Sequence, residues 1–263
     1  MEIEFVNYHY NDELLNFCIK GKEINGLCGN DKKKLLDVIR LKKNFKGTIK
    51  INGQEITKEE LSVYKNKINY IPEDLEGVSF FDNVYDLMLY EIRRRNLILK
   101  NPEKKINDSM KIVGLDPIVL TKRVEFLSTS EKKHLQLAIS LLSNPDLIII
   151  ESPFKFLDIK NEKKIMILLQ KIKEQYNKTL LFVSDDVKEL YKYTTNLLIF
   201  KNNKMLVQGP TTEIFQRVDF LKRNRIEIPE IVMVTYLAKK KKNVKLEYHK
   251  DIRDIIKDIY KHV

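Results

Sequence analysis

Two hydrophobic rhythms, one of period two and one helical, divide the chain. Ile3 to Tyr8 alternates apolar and polar positions, as a half-buried strand does, and a polar turn at Asn11-Asp12 leads to a second apolar stretch from Leu14 to Ile19. Ile24 to Cys28 reads as a short buried strand, punctuated by Gly26 and Gly29, and Leu35, Leu36 and Ile39 then share one face of a helix. Gly47 to Gly53 is a strand bounded by glycines, and a third short strand, Ile68 to Ile71, stops at Pro72. From about Val78 to Leu142 the pattern is helical, with Val84, Leu87, Met88 and Ile92 on one face and Ile106, Met110 and Val113 on another.

Leu147 to Ile150 is a continuous apolar, largely β-branched run, as expected of a central strand covered on both faces. A helix over Glu162 to Gln175, a strand at Thr179 to Ser184, a further helix, and strands at Asn196 to Phe200 and Met205 to Gln208 continue the alternation. A helix follows Pro210, and the tail holds Pro229, the Lys239 to Lys242 run and a final amphipathic helix. Strands alternating with helices specify an α/β fold with a mostly parallel sheet, and the helical middle reads as an inserted subdomain.

Composition narrows the class. A chain of 263 residues suits one large α/β domain, or one domain with a smaller subdomain and a tail, and 43% hydrophobic residues are ample for a core. Ser143, Asn144 and Asp146 break the longest apolar run, the N-terminus lacks a signal-peptide layout, and Cys18 and Cys28 cannot form a disulfide framework. A soluble cytosolic chain is expected. The net charge of +11 suits nucleic acid, an anionic membrane surface or merely a lysine-rich proteome. No helix-turn-helix, aromatic-stacking or zinc pattern supports nucleic acid, and His9, His134, His249 and His262 are scattered without metal-ligand spacing. The lysine runs read as solvated faces.

Two segments carry the candidate chemistry. Gly26-Leu-Cys-Gly29-Asn30-Asp31-Lys32-Lys33-Lys34 lies between a strand and a helix, the setting of a phosphate-binding loop. Leu127-Ser128-Thr129-Ser130-Glu131 opens a helix that runs to Asn144-Pro145-Asp146, then to Leu147 through Ile150, Glu151-Ser152-Pro153 and Phe156-Leu157-Asp158. This series resembles the ATP-binding cassette (ABC) family, in which a signature L-S-G-G-Q opens a helix, a Walker B strand ends in D-E-P, and a loop ending in L-D follows. Ile68 to Glu73 resembles the segment bearing that family's lid glutamine, and Val183-Ser184-Asp185-Asp186 its switch segment, normally S-H-D. Tyr8 or Tyr10 sits where the family stacks an aromatic on adenine, and Tyr10 aligns better. The resemblance covers residues 1 to about 215, with the helical subdomain about 76–142. The 216–263 extension, from Val218 to Leu221 through Ile228-Pro229 and Thr235 to Ala238, is similar to that of energy-coupling factor (ECF) ATPases.

The resemblance also shows where this chain departs from its family. Asp31 replaces a glycine of the phosphate loop and brings a carboxylate toward the cradle, while Lys32 keeps its place. Lys33 replaces the Mg²⁺-binding hydroxyl and Glu151 the Walker B aspartate, and a protonated amine has no lone pair for a metal. Either Lys33 and Glu151 pair in the metal position, or Lys33 points to solvent and Glu151 caps the strand end. Ser152 replaces the general base, a loss of about 10²–10⁴-fold in rate; Glu73 and Asp185 replace the lid glutamine and switch histidine. Thr129 and Ser130 replace the signature glycines, hindering close backbone approach to a partner's γ-phosphate.

The implied function is a catalytically degenerate ATP-binding subunit of an ECF-type transporter. It would pair with an active cassette subunit, a heterodimer being favoured over a homodimer with two broken sites. It would dock on a transmembrane subunit, peripheral to the inner face of the cell membrane. ATP binding is expected to be weak, and Mg²⁺ is not expected. Phe80, Phe81 and the helix around Tyr85 to Ile92 occupy the region that receives a membrane protein's coupling helix, or else belong to the subdomain core. Arg93 to Arg95 read as a solvated helix end or a face toward an anionic bilayer. The alternative function is a nucleotide-independent structural pseudo-ATPase.

Overall fold

A computed structural model describes residues 1–42, 46–74, 80–242 and 246–262. The expected subdomain boundary at 76 and helical start at Val78 lie outside the described residues, as do the side chains of Lys241, Lys242 and His262. The first two strands, β1 (Ile3–Tyr10) and β2 (Glu13–Ile19), pair antiparallel and join β4 (Thr48–Ile51) and β5 (Gln54–Glu55) in a four-stranded sheet ordered β2-β1-β4-β5. The strand expected over Gly47 to Gly53 is β4, and β5 pairs with it just beyond Gly53. Between them in sequence run β3 (Ile24–Cys28) and α1 (Lys32–Ile39).

A second sheet of six strands contains β3, β6 (Ile68–Ile71), β7 (Leu147–Glu151), β8 (Thr179–Val183), β9 (Asn196–Lys201) and β10 (Lys204–Pro210). Its order is β10-β9-β3-β8-β7-β6, parallel throughout except for the β9–β10 hairpin. The parallel α/β sheet expected from the alternation is present, with an antiparallel sheet beside it. A short helix, α2 (Leu61–Lys65), buries no residue, so no apolar periodicity marks it in the sequence. Between β6 and β7 the described chain is helical, with α3 (Val84–Arg94), α4 (Pro102–Val113) and α5 (Thr129–Leu141). Side chains of Asn83, Asn101 and Ser128 cap the N-termini of these three, and Gly114 at φ +72° ends α4. The chain continues through α6 (Ile159–Gln175), α7 (Val187–Tyr193), α8 (Thr211–Gln216), α9 (Val218–Arg223), α10 (Glu230–Lys242) and α11 (Ile252–His262).

Parity along β7 explains its unbroken hydrophobicity. Leu147 and Ile149 face the core shared with the antiparallel sheet and α1, while Ile148 and Ile150 face the core beneath α5 and α6. All four are at most 3% exposed. No described helix is long and apolar enough to cross a membrane.

Candidate functional site

Parallel strands deliver their following loops to one edge of the sheet, where ligands bind in open α/β folds. Glycine is required at Gly29: its φ is +116°, and a Cβ there would lie 1.9 Å from the Phe200 carbonyl oxygen. The phosphate-type loop is therefore pressed onto β9, and its side chains tie it to the β9–β10 turn. The Asn202 N–H donates to Asn30 Oδ1 at 3.3 Å and the Asn203 N–H to Asp31 Oδ2 at 3.2 Å. Lys34 reaches Asp31 Oδ1 at 2.8 Å, and this bond, before any other cause, holds the Asp31 carboxyl below its usual range. Asp31 is thus turned toward Lys34 and the hairpin. The Lys32 and Lys34 N–H groups donate to Gly29 O and Asp31 O within the loop.

Lys32 projects along the edge to Asp185, Nζ to Oδ1 2.5 Å, joining the loop after β3 to the loop after β8. A second set of contacts spans the loops after β6 and β7. Ser152 Oγ donates to Glu73 Oε2 at 2.8 Å, and Lys155 bonds the other Glu73 oxygen. The Lys155 bond first, then that of Ser152, lowers the Glu73 pKa. Behind them Lys133 of α5, only 8% exposed, donates to the Glu73 carbonyl at 2.8 Å and the Ser152 carbonyl at 3.4 Å. Burial lowers the pKa of its ammonium. Glu189 of α7 accepts from Ser184 Oγ at 3.2 Å, and burial, then the Asp186 charge, pushes its carboxyl up to about 7.

Lys33 and Glu151 do not pair. Lys33 is exposed on the first turn of α1, whereas Glu151 is 8% exposed and accepts the Tyr70 hydroxyl from β6. Tyr70 is raised in pKa by burial first and that bond second, and Arg40 stacks 4.1 Å over its ring. A phenol on the adjacent strand, whose register partner Ile149 lies two residues before Glu151, reaches that carboxylate, while Lys33 takes the solvent-facing alternative. Tyr10 is 6% exposed, set edge-on to Phe200 at 5.9 Å, so in this conformation its ring offers no face to a base. Among the described residues no acid, histidine and cysteine cluster could hold a metal ion.

Away from this edge, Ser128 and Glu131 form a reciprocal capping box on α5. The Ser128 N–H and hydroxyl both donate to Glu131 Oε2 at 2.8 Å, and the Glu131 N–H to Ser128 Oγ at 3.2 Å. These bonds lower the Glu131 pKa, the Ser128 N–H foremost. Thr129 and Ser130 occupy the first turn beside that carboxylate. Sequence reasoning missed Tyr70, Lys133, Lys155 and Glu189. Lys133 alone left a trace, being a lysine on the apolar side of the α5 pattern.

A cavity of about 550 Å³ opens elsewhere, between β6, α3 and α5, and includes Ile71, Pro72, Phe80, Phe81 and Tyr90 in its lining. Phe81 stacks obliquely on Tyr90 at 5.0 Å, while Phe80 is 88% exposed, so it is not part of the subdomain core.

The sequence profile of the ABC transporter family matches residues 14–155. An energy-coupling factor transporter ATP-binding protein, EcfA2, of Acetivibrio thermocellus is 24% identical over 92% of this chain and 86% of its own length. EcfA2 of Clostridium tetani is 27% identical over 81% of this chain and 75% of its own. Among solved structures, cbiO1 of Clostridium perfringens, part of the cbiONQ transporter complex, superposes with a TM-score of 0.70 at 19% identity, covering 89% of this chain and 98% of its own. The ATP-binding cassette MJ0796, a dimer with ADP and phosphate, gives 0.61 at 19% identity, covering 80% of this chain and 98% of its own.

Proposed function

The chain belongs to the ABC transporter family, and from that premise we propose that it is a non-hydrolysing ATP-binding-type subunit of an ECF-type membrane transporter, paired with an active cassette subunit. The single observation that carries this reading is the Lys32–Asp185 pair. The one cation retained from the phosphate loop is engaged by a carboxylate standing at the switch position, so an incoming polyphosphate must displace an anion already in place. The neighbouring groups support it. Asp31 adds a second carboxylate, Lys33 supplies no oxygen for a metal, Glu151 is committed to Tyr70, and Glu73 to Ser152 and Lys155. This donor set does not suit Mg²⁺ with a nucleotide, so no hydrolytic step is assigned to it.

Docking on a transmembrane subunit is the second part of the reading, supported by the apolar cavity beside Phe81 and Tyr90 and the exposed Phe80 ring. The test is purification of the tagged chain from detergent-solubilised native membranes. A second cassette subunit with intact motifs and a polytopic membrane protein are expected to copurify. Phosphate release should appear only when that second subunit is present, and should survive Lys32→Ala here. Brisk MgATP hydrolysis by the isolated chain would defeat the proposal.

One observation favours the nucleotide-independent reading instead. The Glu131 carboxylate sits on the α5 N-terminus, where a partner's γ-phosphate would need positive potential. Under that reading the complex gives no calorimetric response to ATP; under the first, its active partner subunit binds ATP and a response is seen.

A further inference from the structure

Positive charge gathers in one place away from the nucleotide edge. A hollow of about 570 Å³ is lined by Arg40, Lys42, Lys65, Arg94 and Arg95 around Tyr70 of β6, and among the described residues no carboxylate lies in its wall. Glu91 answers two of the five from outside it, taking Arg94 by paired bonds of 2.9 and 2.7 Å and Arg95 at 3.0 Å. Asp37 stands 3.8 Å from Lys42. Arg40 and Lys65 have no acidic partner among the described residues: the Arg40 guanidinium lies 4.1 Å over the Tyr70 ring, and Lys65 is exposed. Helices α1, α2, α3 and α5 all end at this wall or within two residues of it, and each carbonyl end carries roughly half a negative charge. The five cations still outweigh those ends, Glu91 and Asp37 together.

We propose that this hollow is a binding site for a phosphoryl group, borne by a soluble phosphate compound or by a phospholipid headgroup. The site goes beyond the transporter reading and does not depend on docking. Its volume lies within the roughly 300–1,000 Å³ of small-ligand sites, so a phosphoryl group fits together with part of its carrier. The cations come from three elements, at the ends of α1, α2 and α3, and so reach the space from several directions. A carboxylate is planar and offers one fork to one guanidinium. A phosphoryl group is tetrahedral, carries about −1.5 to −2 at neutral pH and accepts from several sides. Asn66 and Asn96, both exposed in the wall, add neutral amide donors. The Asn69 amide is committed to the Ser140 carbonyl at 3.0 Å and Ser143 Oγ at 3.3 Å, and the Tyr70 hydroxyl to Glu151. The ligand is therefore held by the cations and the two exposed amides.

The test titrates the full-length chain with inorganic pyrophosphate by calorimetry, at low salt and without metal. Arg40→Gln with Lys65→Gln should weaken binding about tenfold, and Lys42→Gln with Lys65→Gln, which leaves the Tyr70 stack in place, about three- to tenfold. Lys32→Ala at the nucleotide edge, and Lys163→Gln with Lys164→Gln on α6, should leave binding unchanged. A second arm is flotation with phosphatidylcholine vesicles, with and without phosphatidic acid. Flotation that requires phosphatidic acid and is lost in both hollow variants supports the site and assigns the headgroup as its source. Pyrophosphate binding lost in those variants, with flotation absent or unaltered by them, supports the site and assigns a soluble phosphate. Loss of pyrophosphate binding in Lys32→Ala alone, equal weakening by the α6 control, or binding of neither probe overturns the proposal. So does a response indifferent to Arg40, Lys42 and Lys65.

Discussion

Lys32 Nζ and Asp185 Oδ1 meet at 2.5 Å between the segments that follow the paired strands β3 and β8, the lysine side chain 13% exposed and the aspartate 81%. A pair so exposed on one side contributes only about 0–1 kcal/mol to folding. Asp185→Ala should therefore move the melting temperature by no more than about 4 °C. Its effect on anions is larger, because it removes a negative charge from the edge and releases the ammonium. Affinity for inorganic tripolyphosphate, measured by calorimetry without metal, should rise about three- to tenfold, the order set by one such pair. Unchanged affinity would show that Asp185 does not withhold Lys32 from phosphate.

Glu151 is a carboxylate 8% exposed at the end of a central strand, and Tyr70 is its donor. Tyr70→Phe leaves that charge without the bond and should cost about 1–3 kcal/mol. Tyr70→Phe with Glu151→Gln should recover part of the loss, since the residual group is neutral. Urea midpoints of the single and double variants measure both. Additive losses would mean that the two side chains stabilise the fold independently.

The skeleton was legible in the sequence because its signals are collective. Leu147 to Ile150 could be read as a doubly covered strand from four consecutive apolar residues, and the strand–helix alternation placed the loops bearing Asp31, Glu73, Ser152 and Asp185 on one edge. The antiparallel sheet was not separated from the parallel one, since alternation in β1 marks a half-buried strand and not its partner. Pairings within the site were less legible. Family geometry leaves Lys33 either pairing with Glu151 or pointing to solvent, and the sequence does not decide between them, because the direction of one lysine side chain on α1 is set by rotamer and solvation; Lys33 is exposed, and a phenol from β6 reaches Glu151. Tyr10 sits where an adenine-stacking residue would, but its inward turn depends on Phe200, nearly two hundred residues away in sequence. Phe80 and Phe81 are adjacent and identical in type, yet one is exposed and the other packs on Tyr90.

Glu73 and Ser152 exchange the usual chemistry of their positions: the carboxylate stands on the lid segment and the hydroxyl at the strand end, joined at 2.8 Å. Ser152→Glu alone therefore creates two carboxylates in contact and should destabilise the fold by about 1–4 kcal/mol, by Coulomb's law at a partly screened surface. Glu73→Gln on that background should relieve the repulsion and raise the urea midpoint above that of the single variant. The double variant should still release no phosphate from MgATP, because Asp31, Lys33 and the Lys32–Asp185 pair are unchanged. Turnover by the double variant would show that the general base is the only group missing.

Glu189 gives the site a pH dependence of predictable sign. Burial, then the Asp186 charge, and further on Glu162, raise its folded-state pKa from 4.5 to about 7, while the Ser184 hydroxyl and Lys133 oppose them. The unfolded chain releases this proton near pH 4.5 and the folded chain holds it until about 7. Between these values the native state binds more protons, so stability falls as pH rises through the window and levels off above it. With the shift discounted for the part of the group open to solvent, the loss is about 1–3 kcal/mol. Glu189→Gln should remove this slope, so that wild type and variant converge near pH 4.5 and the variant is the more stable at pH 8. Guanidinium unfolding at matched pH values measures the difference, and parallel curves for the two proteins would rule Glu189 out as its source.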